Sequence, residues 1–418
     1  MTDADSPQAS TTRMKFAWLG GSPAGLGLVA ALIESQRGEL SAAAECDTVA
    51  SELLRIAPRT RLEQSWSGLL ARSDFTWAVI SGGSDAVLEG GRQLARNGVR
   101  LLVDVESAEA SHLFTELTLL EAEGPGILTP AFRLRQLPAV ARLGAMLVAG
   151  ELGTLKQVQF ERTGADAGRV LEVAQLDRDF VCDIDLLRGL FGRFEQITAF
   201  RHTDSAGRVT LATTTLGGAG QPPIVWSVAP GERADWRLTV QGERATAIIE
   251  YDQEACRLLV DGVATLTQSR EEADRDSRWH VVTDLVGGPS RSLPSRALEA
   301  PLMPGNVRPA RAVWDDLLRV VELQAAAGQS LRRRRTVDVL FEAPSERGLF
   351  KSQMTAVGCS LLLFTPVAMV FYLVLAAAVP MPTGMKVILV ALVFAPVGLF
   401  LATQALLFIT RPAAGEPK

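Results

Sequence analysis

Residues 15–36 read KFAWLGGSPAGLGLVAALIESQ, and this stretch decides the fold. KFAWL is a short apolar strand carrying Phe16 and Trp18, and the run from Ala24 onward reads as a helix. Between them lies Gly20-Gly21-Ser22-Pro23-Ala24-Gly25. Against the dinucleotide pattern G-x-G-x-x-G, Gly20 fits the tight turn and Gly25 the close helix–strand packing. Ser22 stands at the middle glycine, whose missing side chain lets a pyrophosphate approach the backbone. The turn also aims a helix N-terminus at that position. Glu45, ending the strand LSAAAE, stands where an acid binds a ribose hydroxyl. A strand-to-helix turn without any ligand explains the same residues, so both readings stay open. With Arg13 and Lys15 as a basic flank the stretch also imitates a signal peptide. GGSPAG interrupts it and no small-residue cleavage site follows, so the cytoplasm is the expected location.

Outward from this turn the β–α rhythm continues. TWAVIS (76–81) is a strand ending in Gly82 and Gly83, with a helix following through Leu94. VRLLV (99–103) is a strand, 108–123 a helix, and GILT (126–129) another strand. Such alternation predicts an α/β fold with a parallel, doubly wound Rossmann sheet. A ligand would lie beyond the strand carboxyl ends, near Ser22, Gly82 and Asp104. From about Leu152 to Gly262 strand-like runs dominate, among them LKQVQFERT, RVTLATTTL and DWRLTVQG. Several alternate apolar and polar residues, which predicts an α+β second domain with a mainly antiparallel sheet. The polar stretch Glu271–Pro309 reads as irregular, and 309–327 as a helix.

The chain has 418 residues and a formal net charge of -5, with no basic face for nucleic acid. Cys46, Cys182, Cys256 and Cys359 form no CxxC pair, and His112, His202 and His280 lie far apart. No metal site or disulfide framework is expected. Two charge-free runs, 355–379 and 387–410, each reach roughly 36 Å as helices, enough for a hydrocarbon core of about 30 Å. They predict a C-terminal transmembrane helical hairpin that partners membrane lipid. Lys and Arg at its outer ends place both long termini in the cytoplasm. Arg332 to Arg335 reads either as a solvated turn or as a contact to anionic headgroups. The expected layout is a disordered 1–13, a Rossmann-like domain over 14–130 and a second domain over 131–342. A juxtamembrane segment over 343–354 leads to the two spans, and 411–418 is a cytoplasmic tail.

The order of these segments resembles the Gfo/Idh/MocA family of NAD(P)-dependent oxidoreductases. The pieces that carry the resemblance are the turn at 20–25, Glu45, AVISGG (78–83) and RNGVRLLVDVE (96–106). FRLRQLPAV (132–140), GELGTLKQVQFER (150–162), DIDLLRGLFG (183–192) and PGERADWRLTVQG (230–242) complete them. SERGLFKSQMTAVGC (345–359) resembles a variant of the family with an added membrane hairpin. The resemblance implies cofactor contacts at Gly20, Gly21, Ser22, Gly25, Glu45, Gly82, Gly83 and Asp104. It implies NAD or NADP as cofactor, a sugar-like or polyol ligand and a homo-oligomer. Glu45 favours NAD, because an acid there repels a 2′-phosphate.

The family's catalytic groups are replaced. Its Glu-Lys-Pro tripeptide matches Asp104-Val105-Glu106, so the lysine position is Val105. In its second motif the aspartate matches Asp185 and the histidine position is Cys182. Its Pro-Asn pair becomes Gly83-Ser84, whereas Arg135, Pro138 and the turn from Gly150 to Gly153 are kept. Alcohol oxidation needs a base with a pKa near working pH, and losing one removes about 10²–10⁴ in rate. Asp185, Asp183 and Asp179 are the candidate substitutes; equally, Asp183 and Asp179 would cap the helix IDLLRGLFG at its N-terminus. Three functions follow. One is a degenerate ligand sensor or scaffold that binds a nucleotide, another an active sugar or polyol dehydrogenase with substituted groups. The third is a structural membrane subunit whose cleft binds no cofactor.

Overall fold

The structure is a computed structural model. It describes residues 14–36, 38–105, 121, 127–165, 171–218, 220–232, 235–286 and 314–339, and scattered positions between 364 and 394. Residues Met1–Val339 form one unit and Leu340–Lys418 another.

The first sheet is all parallel: β1 (Met14–Leu19), β2 (Gly38–Ala44), β3 (Arg61–Glu63), β4 (Trp77–Ile80), β5 (Arg100–Asp104) and β6 (Leu128–Ala131). The strand order β3-β2-β1-β4-β5-β6 reverses direction at β1. Helices α1 (Pro23–Glu34), α2 (Ala50–Ile56), α3 (Trp66–Leu70) and α4 (Asp85–Arg96) link the strands. β1 is central and covered on both faces, which is why KFAWL carries an unbroken apolar run. Its side chains alternate: Phe16 and Trp18 join Leu28, Val29 and Leu32 of α1, whereas Ala17 and Leu19 join Leu69, Val87 and Leu94. β6 begins at Leu128, two residues later than the sequence pattern predicts. The helix expected over 108–123 lies outside the described residues apart from Glu121.

The second sheet has nine strands: β7 (Leu155–Ala165), β8 (Gln196–Thr203), β9 (Val209–Gly217), β10 (Ile224–Gly231), β11 (Trp236–Gly242), β12 (Thr246–Tyr251), β13 (Ala255–Val260), β14 (Val263–Ser269) and β15 (Val337–Asp338). Every pair is antiparallel except β7 with β10. α5 (Pro138–Val148), α6 (Val173–Phe191) and α8 (Trp314–Arg333) contribute Val140, Leu143, Ile184, Leu187, Leu317 and Val320 to a core shared with Phe160, Trp226 and Leu238 of the sheet. The alternation along each strand sets which residues face this core, as the sequence predicts.

Three expectations are corrected. The start of the stretch read as irregular forms α7 (Arg270–Val286). Its buried residues Ala273, Ser277 and Val281 lie four apart and make only a thin stripe on a charged helix, too weak a pattern to read in sequence. Asp179 and Asp183 are not helix caps, because α6 begins at Val173 and runs straight past both. The third correction concerns the membrane. Among the described residues no helix is long and apolar enough to cross one. This overturns the expected multi-pass location at the cytoplasmic membrane and the expected lipid partner. A charge-free run shows only what a segment lacks, whereas a span needs a long continuous helix. Most of 355–379 and 387–410 lies outside the described residues. The Arg332 to Arg335 run has a local role instead. Arg332 and Arg333 end α8, where cations favour the helix dipole, and the Arg335 carbonyl accepts from the Ser330 hydroxyl at 2.7 Å.

Candidate functional site

The β1–α1 turn is held by its glycines. Gly20 has φ +118, and a Cβ there would stand 1.6 Å from the Ser81 carbonyl oxygen. A Cβ on Gly25 would meet the Ser81 Oγ at 2.2 Å. Ser81 in turn accepts from Trp18 Nε1 at 2.8 Å, so the end of β4 locks the turn in place. Ser22 caps α1: its Oγ accepts from the Gly25 amide at 2.9 Å and donates to Asp104 Oδ2 at 3.3 Å. Pro23 follows at the first helical position, where its missing N–H costs nothing to the helix.

Residues distant in sequence converge on this turn. Asp104 ends β5 and is fully buried beside Ser22. Thr48 Oγ1 donates to the Gly21 carbonyl at 2.9 Å, which ties the turn to the loop after β2. Glu45 begins that loop in the left-handed region, with φ 56. Its carbonyl would stand 3.1 Å from a Cβ on Gly21. Gly82 has φ +104 and leads to Gly83; no atom lies within 4 Å of where a Gly82 Cβ would stand. Gly20, Gly21, Ser22, Gly25, Glu45, Gly82, Gly83 and Asp104 therefore gather at the carboxyl ends of β1, β2, β4 and β5. They lie along the carboxyl edge of an open α/β sheet, the place such folds bind ligands.

The candidate catalytic aspartates point elsewhere. Asp183 lies mid-helix in α6 and accepts from Arg162 through both carboxylate oxygens, with Nε at 2.9 Å, and from Trp226 Nε1 at 2.9 Å. Asp185 binds Arg135 in the same two-point manner, with Nε at 2.6 Å. Arg135 also donates to Asp316 Oδ2 at 3.2 Å, and Arg188 donates to the Asp316 carbonyl at 3.0 Å. Two arginines and two aspartates thus form a buried, charge-balanced group joining the segment before α5 to α6 and α8. Burial alone would lower the Arg135 pKa, but Asp185 and Asp316 hold it above its ordinary value. Arg162 is held high in the same way by Asp183. Burial pushes the Asp185 carboxyl up to about 6 against the pull of Arg135. Asp179 behaves in the same way: burial pushes its carboxyl up to about 6, and Arg162 only partly offsets that.

Val105 and Cys182, the two positions that the resemblance implies as catalytic, are both buried. Val105 is 2% exposed and belongs to the hydrophobic core. Cys182 is buried, and burial followed by the Asp183 charge raises its thiol well above the ordinary range, against the pull of Arg162. It therefore stays a neutral thiol at neutral pH. Sequence reasoning missed Arg162 and Trp226. The signal was present: Arg162 continues the inward-facing register of Val158 and Phe160, and a buried arginine requires a carboxylate partner.

A cavity of about 400 Å³ opens at the strand ends beside Arg162, Thr163, Asp235, Trp236, Tyr251 and Asp252. Trp236 Nε1 and Asp235 Oδ1 are buried there without a hydrogen-bond partner among the described residues. A second cavity of about 360 Å³ lies between α6, α8 and the sheet, over Phe180 and Trp226. Among the described residues no group of three or more His, Cys, Asp or Glu is placed to hold a metal ion.

A parallel Rossmann-like sheet together with a mainly antiparallel one is a fold shared with solved oxidoreductases. A myo-inositol dehydrogenase from Corynebacterium glutamicum is similar at 17% identity and a TM-score of 0.60, over 79% of this chain and 100% of that one. A levoglucosan dehydrogenase in complex with NADH is similar at 13% identity and a TM-score of 0.60, over 79% and 100%. An Agrobacterium radiobacter oxidoreductase in complex with NAD+, L-tartaric acid and magnesium is similar at 14% identity and a TM-score of 0.59, over 78% and 99%. No family model and no curated protein matches the chain. At these identities the likeness establishes the fold alone.

Proposed function

We propose that this chain is a nicotinamide-nucleotide-binding protein of the Gfo/Idh/MocA type that has lost alcohol–carbonyl chemistry and serves as a ligand sensor or scaffold. The observation that carries it is the state of the catalytic positions. Val105 is core, Cys182 is a buried neutral thiol, and Asp183 and Asp185 are each engaged by an arginine. A general base must be free to reach the substrate hydroxyl with a pKa near working pH; burial raises Asp185 to about 6, but Arg135 holds both its oxygens, and none of the four is free to act.

The residues present fit a dinucleotide. The glycine turn brings backbone and helix N-terminus to the phosphate position, Glu45 stands at the ribose position, and the Cβ side of Gly82 is open. When bound, a nicotinamide ring supplies or accepts a hydride; this chain's residues bind and orient it without a proton relay. The unpaired Trp236 donor and Asp235 acceptor suit a polyhydroxy ligand such as a sugar or polyol.

Titration of the full-length chain with NADH and NADPH, read by fluorescence, tests this reading. Saturable binding with tighter NADH affinity, and no turnover across a sugar and polyol panel, is the expected result. Turnover would overturn the degenerate reading. One observation favours that second reading, an active dehydrogenase: of the two carboxyls pushed up to about 6, Asp179 and Asp185, Asp179 is the one that no arginine holds through both oxygens. Loss of any such turnover in Asp179→Asn would identify the base.

A further inference from the structure

The geometry points to Arg278 as the cationic contact for the phosphates of a nucleotide at the β1–α1 turn; this assignment rests on the nucleotide-binding reading above. The turn offers an anion its backbone and the helix dipole but no positive side chain. Pro23 has no N–H, the Gly25 amide is already taken by Ser22 Oγ, and α1 carries no basic residue. The buried carboxyl group of Asp104 lies close by, 3.3 Å from Ser22 Oγ. A pyrophosphate here needs positive charge from another element.

α7 provides it. The Ser277 hydroxyl donates to the Arg133 carbonyl at 2.6 Å, just past the end of β6, so α7 crosses the carboxyl edge of the parallel sheet. The next residue, Arg278, lies against α1. A Cβ on Gly27 would stand 2.9 Å from Arg278 Cζ, 3.0 Å from Nε and 3.2 Å from Nη1. The guanidinium therefore rests on a stretch of helix that only glycine leaves bare, about one turn from the helix N-terminus. Its Nε is shut off from solvent and has no hydrogen-bond partner among the described residues. A buried donor left unpaired is costly, and phosphate oxygens are the acceptors that match a guanidinium fork.

Calorimetric titration of the full-length chain with ADP-ribose, which carries the pyrophosphate, and with adenosine, which carries none, tests the assignment. Arg278→Ala should weaken ADP-ribose by about tenfold to a hundredfold, the range of a charge-assisted hydrogen bond, and leave adenosine unchanged. It should also flatten the salt dependence of ADP-ribose binding. Gly27→Ala, which displaces the guanidinium while keeping its charge, should weaken ADP-ribose in the same direction. Equal ADP-ribose affinity in Arg278→Ala and the parent chain would overturn the role of Arg278 and leave nucleotide binding intact. Parallel loss of both ligands would show Arg278 to be structural and also overturn it. Failure of the parent chain to bind ADP-ribose would sink the nucleotide reading itself.

Discussion

Replacing Asp185 by asparagine separates a structural from a chemical role for that carboxylate. In the folded protein Arg135 and Asp185 are 5% and 1% exposed at their side chains and are joined by two hydrogen bonds. The group is balanced: Arg135 and Arg188 face Asp185 and Asp316. The Asp185→Asn change would remove the carboxylate that Arg135 binds through two hydrogen bonds and leave the two buried guanidinium groups with one negative charge fewer. Removing one partner of a buried pair costs about 3–5 kcal/mol. Unfolding entropy of about 2.1 cal/mol/K per residue, over roughly 300 ordered residues, gives about 0.6 kcal/mol/K, so Tm should fall by about 5–8 °C. Differential scanning fluorimetry at pH 7 measures this directly. Nucleotide affinity should be unchanged, since Asp185 lies in the second domain's packing and not at the β1–α1 turn. The pairwise replacement Arg135→Met with Asp185→Leu should recover most of the loss, because it removes one positive and one negative charge together and leaves Arg188 with Asp316. An Asp185→Asn protein with unchanged Tm but altered ligand chemistry would refute the structural assignment.

Further outcomes follow from the same geometry. Gly20→Ala should fail to fold or lose more than about 3 kcal/mol, since its Cβ would collide with the Ser81 carbonyl at a φ of +118; urea unfolding checks it. Ser22→Ala should cost about 0.5–2 kcal/mol by uncapping α1, and a cost near zero would show that the Gly25 amide finds another acceptor. Asp179 gives a pH dependence of definite sign. Its folded pKa, raised to about 6, means the folded state holds the proton more tightly than the unfolded one. The stability it contributes is full below the ordinary carboxylate range and is lost as pH rises through 6. Asp185, also raised to about 6, contributes over the same window, so Asp179→Asn should reduce and not abolish this arm of the stability curve between pH 4 and 7, read from chemical denaturation at each pH.

The parallel sheet was legible because its central strands are marked locally, whereas the short and exposed edge strand β3 was not predicted. KFAWL, TWAVIS and VRLLV are apolar runs closed by glycine or an acid, and burial on both faces leaves them no polar alternation to confuse the reading. α7 was not legible. Its helix is stabilised by a narrow stripe of Ala273, Ser277 and Val281 against other elements, and charged residues fill the rest. The turn was readable down to Ser22, yet its partner Asp104 is 82 positions away, and nothing local couples them. Asp183 and Asp185 looked like free carboxylates beside a motif. Their arginines sit on β7 and before α5, so only the fold could show that both are neutralised. The membrane hairpin expected from the charge-free C-terminal runs is overturned, since no helix among the described residues is long and apolar enough to cross a membrane.

By itself the sequence determined the kind of fold, a glycine turn at the head of a doubly wound sheet followed by an antiparallel domain. Through the resemblance it implied, without showing, that Val105 and Cys182 stand at the catalytic pair of positions. Periodicity and glycine placement act over a few residues, so they survive in a string of letters. Tertiary structure decided the electrostatics: which carboxylates are paired, which thiol is held neutral, and which arginine lies on Gly27. Those properties come from burial and from charges brought together across 50, 21 and 181 positions of chain in the Arg135, Arg162 and Asp316 contacts. A charge's energy depends on what surrounds it in space, and that arrangement exists only once the chain has folded.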